Sequence, residues 1–123
     1  MLDHVNLNVS DYERSRDFYA RALEPLGHSL LMEPAPGFGG FGSDGKPAFW
    51  ITDQREPVTT NVHIAFEAPD RATVDAFHAA ALAAGGTDNG EPGVRELYHP
   101  QYYGAFVLDP DGNNVEAVCH RPA

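Results

Sequence analysis

Slid along itself by 59 residues (63 − 4), the chain matches itself: His4–Gly27 lies without gaps over His63–Gly86. His4 falls on His63, Asp11 on Asp70, Phe18 on Phe77, Ala20 on Ala79, Ala22 on Ala81, Leu23 on Leu82 and Gly27 on Gly86. Val5 with Ile64 and Leu7 with Phe66 are similar pairs. A repeat at one fixed offset means that a single supersecondary unit is written twice and that its copies must be packed together. The matches follow one order: strand, polar cap, amphipathic helix, glycine stop.

Each copy can be read on physical grounds. In Leu2–Val9, Val5, Leu7 and Val9 share one face while His4, Asn6 and Asn8 share the other, the alternation of a half-buried strand. Ser10 with Glu13 has capping-box spacing. Ser15, Phe18, Tyr19, Ala22 and Leu23 recur at helical spacing, and Gly27 ends the element. In the second copy Val62, Ile64 and Phe66 oppose His63, Ala65 and Glu67, Asp70 caps the helix, and Val74, Phe77, His78, Ala81 and Leu82 form its buried stripe before Gly85-Gly86. Three extended segments follow each helix. They are placed near His28–Glu33, Gly37–Gly42 and Ala48–Thr52 in the first half, and near Arg95–His99, Tyr103–Leu108 and Asn114–Val118 in the second. Asp109-Pro110-Asp111-Gly112 closes the last two into a hairpin.

The expected fold is therefore α+β: two βαβββ modules, residues 1–56 and 61–120, in one domain, joined at Pro57–Thr60. The modules are expected to form a curved eight-stranded mixed sheet, an open cup with the helices on its outer face. A chain of 123 residues leaves little room for a second domain. With 8 Lys+Arg against 18 Asp+Glu the net charge is −10, which argues against nucleic acid as a partner. The longest run of small apolar residues, Ala79–Ala84, is too short to span a bilayer. Cys119 is the one cysteine, and the start of the chain carries no basic and apolar leader, so the expected location is the cytoplasm.

The polar strand faces carry the functional signal. His4 and His63 are equivalent by the repeat, and Glu116, between Asn114 and Val118 on the last strand, has the same parity. Two imidazoles and a carboxylate on a concave face suit a divalent metal (Fe, Mn, Ni or Zn) with coordination positions left for substrate or water.

These segments resemble the vicinal oxygen chelate superfamily, which includes glyoxalase I, extradiol dioxygenases, fosfomycin-resistance proteins and bleomycin-binding proteins. The resemblance rests on Asp3-His4-Val5 with the capped helix through Phe18-Tyr19, on His63-Ile64-Ala65-Phe66, and on Asp109-Pro110-Asp111-Gly112-Asn113 leading to Glu116. It implies a metal at the base of a cup, held by His4, His63 and Glu116, and a homodimer. Glyoxalase I has a fourth ligand, a glutamate on the last strand of the first module, and here Trp50 takes its place. Without that carboxylate the proton transfer of lactoylglutathione lyase lacks its expected base. The three-ligand set is closer to the dioxygenases and the fosfomycin-type transferases.

Further candidates surround this set. His99 and Tyr103 are expected as acid/base residues, and Asn6, Phe49, Trp50, Tyr98 and Tyr102 as substrate contacts in an aromatic-lined cleft. The glycines from Gly37 to Gly45 are not followed by a helix, so a phosphate loop is excluded. His28 and His120 are expected in solvent. The expectation is a metal-dependent enzyme, of lyase or dioxygenase type, acting on a small oxygenated molecule. Its alternative is a metal-free protein that sequesters an aromatic or cationic compound, to which the acidic balance is suited.

Overall fold

The computed structural model describes residues 1–123. The first module comprises β1 (Val5–Asn8), α1 (Tyr12–Ala22), β2 (Ser29–Met32), β3 (Phe38–Ser43) and β4 (Lys46–Thr52). The second comprises β5 (His63–Glu67), α2 (Arg71–Ala83), β6 (Thr87–Val94), β7 (Tyr103–Leu108) and β8 (Asn114–Cys119). The strand orders β1-β4-β3-β2 and β5-β8-β7-β6 are the same topology twice. In each sheet the first strand runs parallel to the last, Val5 opposite Phe49 and His63 opposite Asn114. The eight strands thus form two mixed sheets of four rather than one continuous ladder. The edge strands β1 and β5 line shared clefts through Val5, Ile64 and Ala65. No helix is long and apolar enough to cross a membrane.

One core serves both modules. A single cluster of 20 buried residues joins Leu7, Phe18, Tyr19, Phe49 and Ile51 of the first half to Val74, Phe77, Val107 and Val115 of the second. The two helices pack on each other, α1 on β3 and β4 and α2 on β6, β7 and β8. Ser15, Phe18, Tyr19 and Ala22 on α1, and Val74, Phe77, His78 and Ala81 on α2, are buried as their spacing requires. Leu82 is an exception at 37% exposed.

Three local readings change. The first cap is Asp11, whose carboxylate accepts from Arg14 N at 3.2 Å, while Ser10 turns to the second module and donates its hydroxyl to Asp111 at 2.5 Å. Gly27 ends the short 3₁₀ turn Glu24–Leu26 with φ +85°. In the second copy the left-handed residue is Gly85, at φ +100°, and Gly86 is required for space, since a Cβ there would lie 2.4 Å from Val107. Finally, the strand after α2 is Thr87–Val94 and not Arg95–His99. Its Gly90, Pro92 and Gly93 read as loop, but β6 is an edge strand with two register shifts, where proline and glycine are tolerated.

The turn between β7 and β8 binds the modules to each other. Asp109 is 5% exposed and accepts the Tyr19 hydroxyl at 2.5 Å. It also accepts the backbone N–H groups of Asp111 and Asn113, each at 2.9 Å. Burial, and then the adjacent Asp109, push the Tyr19 phenol well above its ordinary pKa, so it stays a donor. Removing that donor leaves a buried carboxyl oxygen short of a partner. Tyr19→Phe is expected to lower stability by about 1.5–3 kcal/mol, read as a lower urea midpoint at unchanged slope. An unchanged midpoint would show that the latch contributes nothing.

Candidate functional site

Strand register puts His63 and Glu116 on one face. His63 lies opposite Asn114 and Ala65 opposite Glu116, and paired residues project to the same side. The two side chains meet: His63 Nε2 stands 2.7 Å from Glu116 Oε1. Glu116 is fully buried, whereas the His63 side chain is 52% exposed. A buried carboxylate needs partners, and its second oxygen has one, the Tyr102 hydroxyl, in a short hydrogen bond. Burial and the Glu116 carboxylate both raise the Tyr102 pKa, so at neutral pH it is a phenol that donates to Glu116.

Gly104 makes this arrangement possible. A Cβ at that position would lie 3.0 Å from Glu116 Oε2 and 3.2 Å from the Tyr102 ring. Phe106, paired with Glu116 across β7 and β8, sets its ring 6.0 Å from the His63 ring. Neither Gly104 nor Phe106 was among the expected site residues. Strand parity would have found both, because Ala105 and Val107 are core residues and their neighbours must face the other way.

The same parity puts Tyr103 on the other side of the sheet from Glu116. It pairs with buried Cys119 on the helix side, its hydroxyl donates to Asp75 of α2 at 2.6 Å, and Arg71 lies over its ring at 5.0 Å. Tyr103 is thus held away from Glu116, and the tyrosine at the carboxylate is Tyr102. His99 does not reach Glu116 either. Its Nε2 meets His120 Nδ1 at 2.6 Å, and its Nδ1 accepts from Gln101 N at 2.9 Å. Together with Tyr98, whose ring is 4.8 Å from that of Tyr102, the two histidines form a collar around Tyr102. His120 is exposed, as expected, and pairs with His99 at the surface.

His4 lies apart from this pair. Its Nδ1 is 2.7 Å from Asp3, and it lines a different cleft from the one that His63 lines. Within one chain no three His, Cys, Asp or Glu side chains are grouped closely enough to hold a metal ion. Asn6 and His63 line a common cleft of about 470 Å³. Asn6 donates to Asn8 at 3.0 Å, and Asn8 holds the linker through Pro57 O. Phe49 is 4% exposed and packs edge-on to Tyr19 and Phe66, so it is a core ring. Trp50 faces the other way, opposite Asn6, with its indole over Gly40.

Comparison with known proteins agrees with this architecture. The family model of the Glyoxalase/Bleomycin resistance protein/Dioxygenase superfamily matches residues 1–117. A glyoxalase/bleomycin resistance protein from Albidiferax ferrireducens T118 is 34% identical, with a TM-score of 0.81 and 97% of each chain covered. A glyoxalase/bleomycin resistance protein/dioxygenase family enzyme from Burkholderia phytofirmans PsJN shares the fold at 23% identity and a TM-score of 0.74, covering 97% of this chain and 98% of that one. Glyoxalase I from Zea mays shares it at 23% identity and a TM-score of 0.69, covering 99% of this chain and 45% of that one. No protein of curated function matches. By the match over nearly its whole length, the chain belongs to the Glyoxalase/Bleomycin resistance protein/Dioxygenase superfamily.

Proposed function

We propose that the protein is a metal-dependent enzyme acting on a small oxygenated molecule, with His63 and Glu116 as two metal ligands. The observation that carries this reading is the 2.7 Å approach of His63 Nε2 to the buried Glu116 Oε1. Two donors at right angles on one ion, each bonded at about 2.1 Å, stand about 3 Å apart, so the pair already has nearly the required spacing. The Tyr102 hydroxyl fixes the other Glu116 oxygen, as an outer partner of a ligating carboxylate does. The donor chemistry fits a divalent ion of the Fe, Mn, Ni or Zn group.

His4 is the third ligand in this proposal. It lines a separate cleft of its own chain, so we place it in a homodimer, where His4 of one copy completes the His63–Glu116 pair of the other. A divalent ion so held supplies Lewis-acid polarisation of substrate oxygen atoms. The chain's own residues do the rest: Asn6, which shares the His63 cleft, orients the substrate, and Phe106 and Trp50 shield its apolar parts. No carboxylate stands at position 50, which argues for dioxygenase or transferase chemistry over lactoylglutathione lyase chemistry.

Metal analysis tests the reading. After loading with Fe(II), Mn, Ni or Zn, wild type is expected to retain about one ion per chain, and His63→Ala and His4→Ala are expected to lose it. Mixed in equal amounts and allowed to exchange, the two variants are expected to recover about a quarter of the wild-type metal per chain, because each mixed dimer has one intact site out of two. Absence of recovery would remove the shared site. A wild type that takes up no metal would favour the sequestering alternative, for which the net charge of −10 selects cationic compounds. Tyr102→Phe, which leaves the ring and removes the Glu116 partner, is expected to weaken metal binding about 10–100-fold. An unchanged metal Kd would show that Tyr102 does not position the ligand.

A further inference from the structure

The sheet face that carries His63 and Glu116 also carries a cation. In the β6–β7 ladder Gly90 pairs with Phe106 and Gly93 with Gly104, and Phe106 in turn pairs with Glu116. Alternation gives Arg95 the side of Gly93, which is the side of Glu116. The ladder runs one step past β6, with Arg95 N donating to Tyr102 O at 2.7 Å, so Arg95 stands beside Tyr102. Its guanidinium carbon lies 5.3 Å from the centroid of the Phe106 ring, and the His63 ring lies 6.0 Å from that same centroid. Arg95 and His63 are thus both neighbours of Phe106. Burial and then Glu116 hold the Tyr102 phenol up, and the Arg95 charge acts against both, so the guanidinium is in electrostatic reach of this group.

This cation is unpaired and open. Arg14, Arg16 and Lys46 each have a carboxylate within 4.0 Å, and Arg95 has none. Arg95 Nη2 donates to Glu91 O at 2.6 Å, which ties the head to its own strand. Nε and Nη1 make no hydrogen bond and are not buried, so their N–H groups remain for an anion. Two glycines leave the space: a Cβ at Gly93 would lie 3.0 Å from Nη1, and one at Gly90 would lie 3.3 Å from Nη2. The His63 side chain, 52% exposed, is open on the same face. With 18 acidic residues against 8 basic ones, the chain has carboxylates to spare, yet none is set against Arg95. A guanidinium held in this way matches a carboxylate that comes from outside the protein.

We infer that the molecule received at His63 and Glu116 is a small acid whose carboxylate is bound by Arg95, with chelating oxygen atoms at its other end and its middle lying along Phe106. The inference rests on the metal reading, which supplies the chelated end, and adds the charge of the substrate. Locally Arg95 reverses the preference for cations that a net charge of −10 would otherwise give this face.

The test compares 4-carboxybenzohydroxamate with its neutral amide, 4-carbamoylbenzohydroxamate, on the full chain loaded with Zn(II). Both chelate a divalent ion through adjacent oxygen atoms, and only the first presents a carboxylate across the ring. By calorimetry the carboxylate is expected to bind about tenfold or more tighter than the amide, the preference that one charge-assisted hydrogen bond confers. It is also expected to move the Arg95 Nε resonance in ¹⁵N NMR, which the amide leaves in place. Arg95→Gln is expected to retain Zn(II) and to bring the two affinities together, while Arg95→Lys, which keeps the charge without the planar fork, is expected to keep part of the preference. The metal reading is judged separately, by whether Zn(II) is needed for either compound to bind, so its failure is distinguishable from failure at Arg95. Equal affinities in wild type, no binding of either compound, an unmoved Arg95 resonance, or a preference that survives Arg95→Gln would each overturn the assignment.

Discussion

The carboxyl group of Asp109 holds more of this molecule in place than any other single side chain. It collects the Tyr19 hydroxyl of α1 together with the backbone of Asp111 and Asn113, and Asn113 Nδ2 approaches it at 3.3 Å. Asn113 then passes the constraint on, accepting from Val62 N and donating to Thr59 O. Val62 leads directly into β5 and Asn114 opens β8. One buried acid therefore sets where the strands carrying His63 and Glu116 begin, and it anchors both to the helix of the other module. The turn sequence Asp109–Asn113 thus positions His63 and Glu116 from several residues away, without touching either.

What β5 and β8 deliver is a carboxylate that the interior would not otherwise accept. Burying Glu116 completely is costly unless both oxygens are engaged. His63 and Tyr102 engage them from two sides, and Gly104 leaves the space in which they meet. The Tyr98, His99 and His120 rings around Tyr102 tie the loop before β7 to the end of β8, so the phenol has little freedom to swing away. The site is rigid on the Glu116 side and open on the His63 side, an arrangement suited to receiving something at the imidazole.

Most of the fold was legible because the repeat and the alternation of residues act over long stretches. The strands that carry His63, Phe106 and Glu116, both helices and the β7–β8 hairpin follow from periods of two and 3.6, which no single residue can disturb. The errors sit where one residue decides. Ser10 looks like a cap as much as Asp11 does, and the choice was made by Asp111, 101 residues away. The glycines and proline of β6 mimic a loop because an edge strand is under no pressure to exclude them. Alternation with Ala105 and Val107 puts Tyr103 on the helix side, and the same rule separates Trp50 from Phe49.

The two modules keep one backbone and differ in what they place on corresponding faces. In the second, Ala65 opposes Glu116, so a small residue stands beside a carboxylate; in the first, Asn6 opposes Trp50, a polar residue beside an indole. Gly40 admits the Trp50 ring much as Gly104 admits Glu116 and Tyr102, a glycine clearing space for a large neighbour in each sheet. An indole cannot bind a cation as a carboxylate does, so the first module contributes at most an imidazole to a metal centre and otherwise an apolar wall. Two identical modules would carry two equal half-sites; an indole at one position and an acid at the other makes them unequal, with charge and hydrogen bonding concentrated at Glu116 and apolar surface at Trp50. Whatever the second sheet's polar face receives at His63 and Glu116, the first sheet cannot duplicate it, because an indole fills the corresponding place.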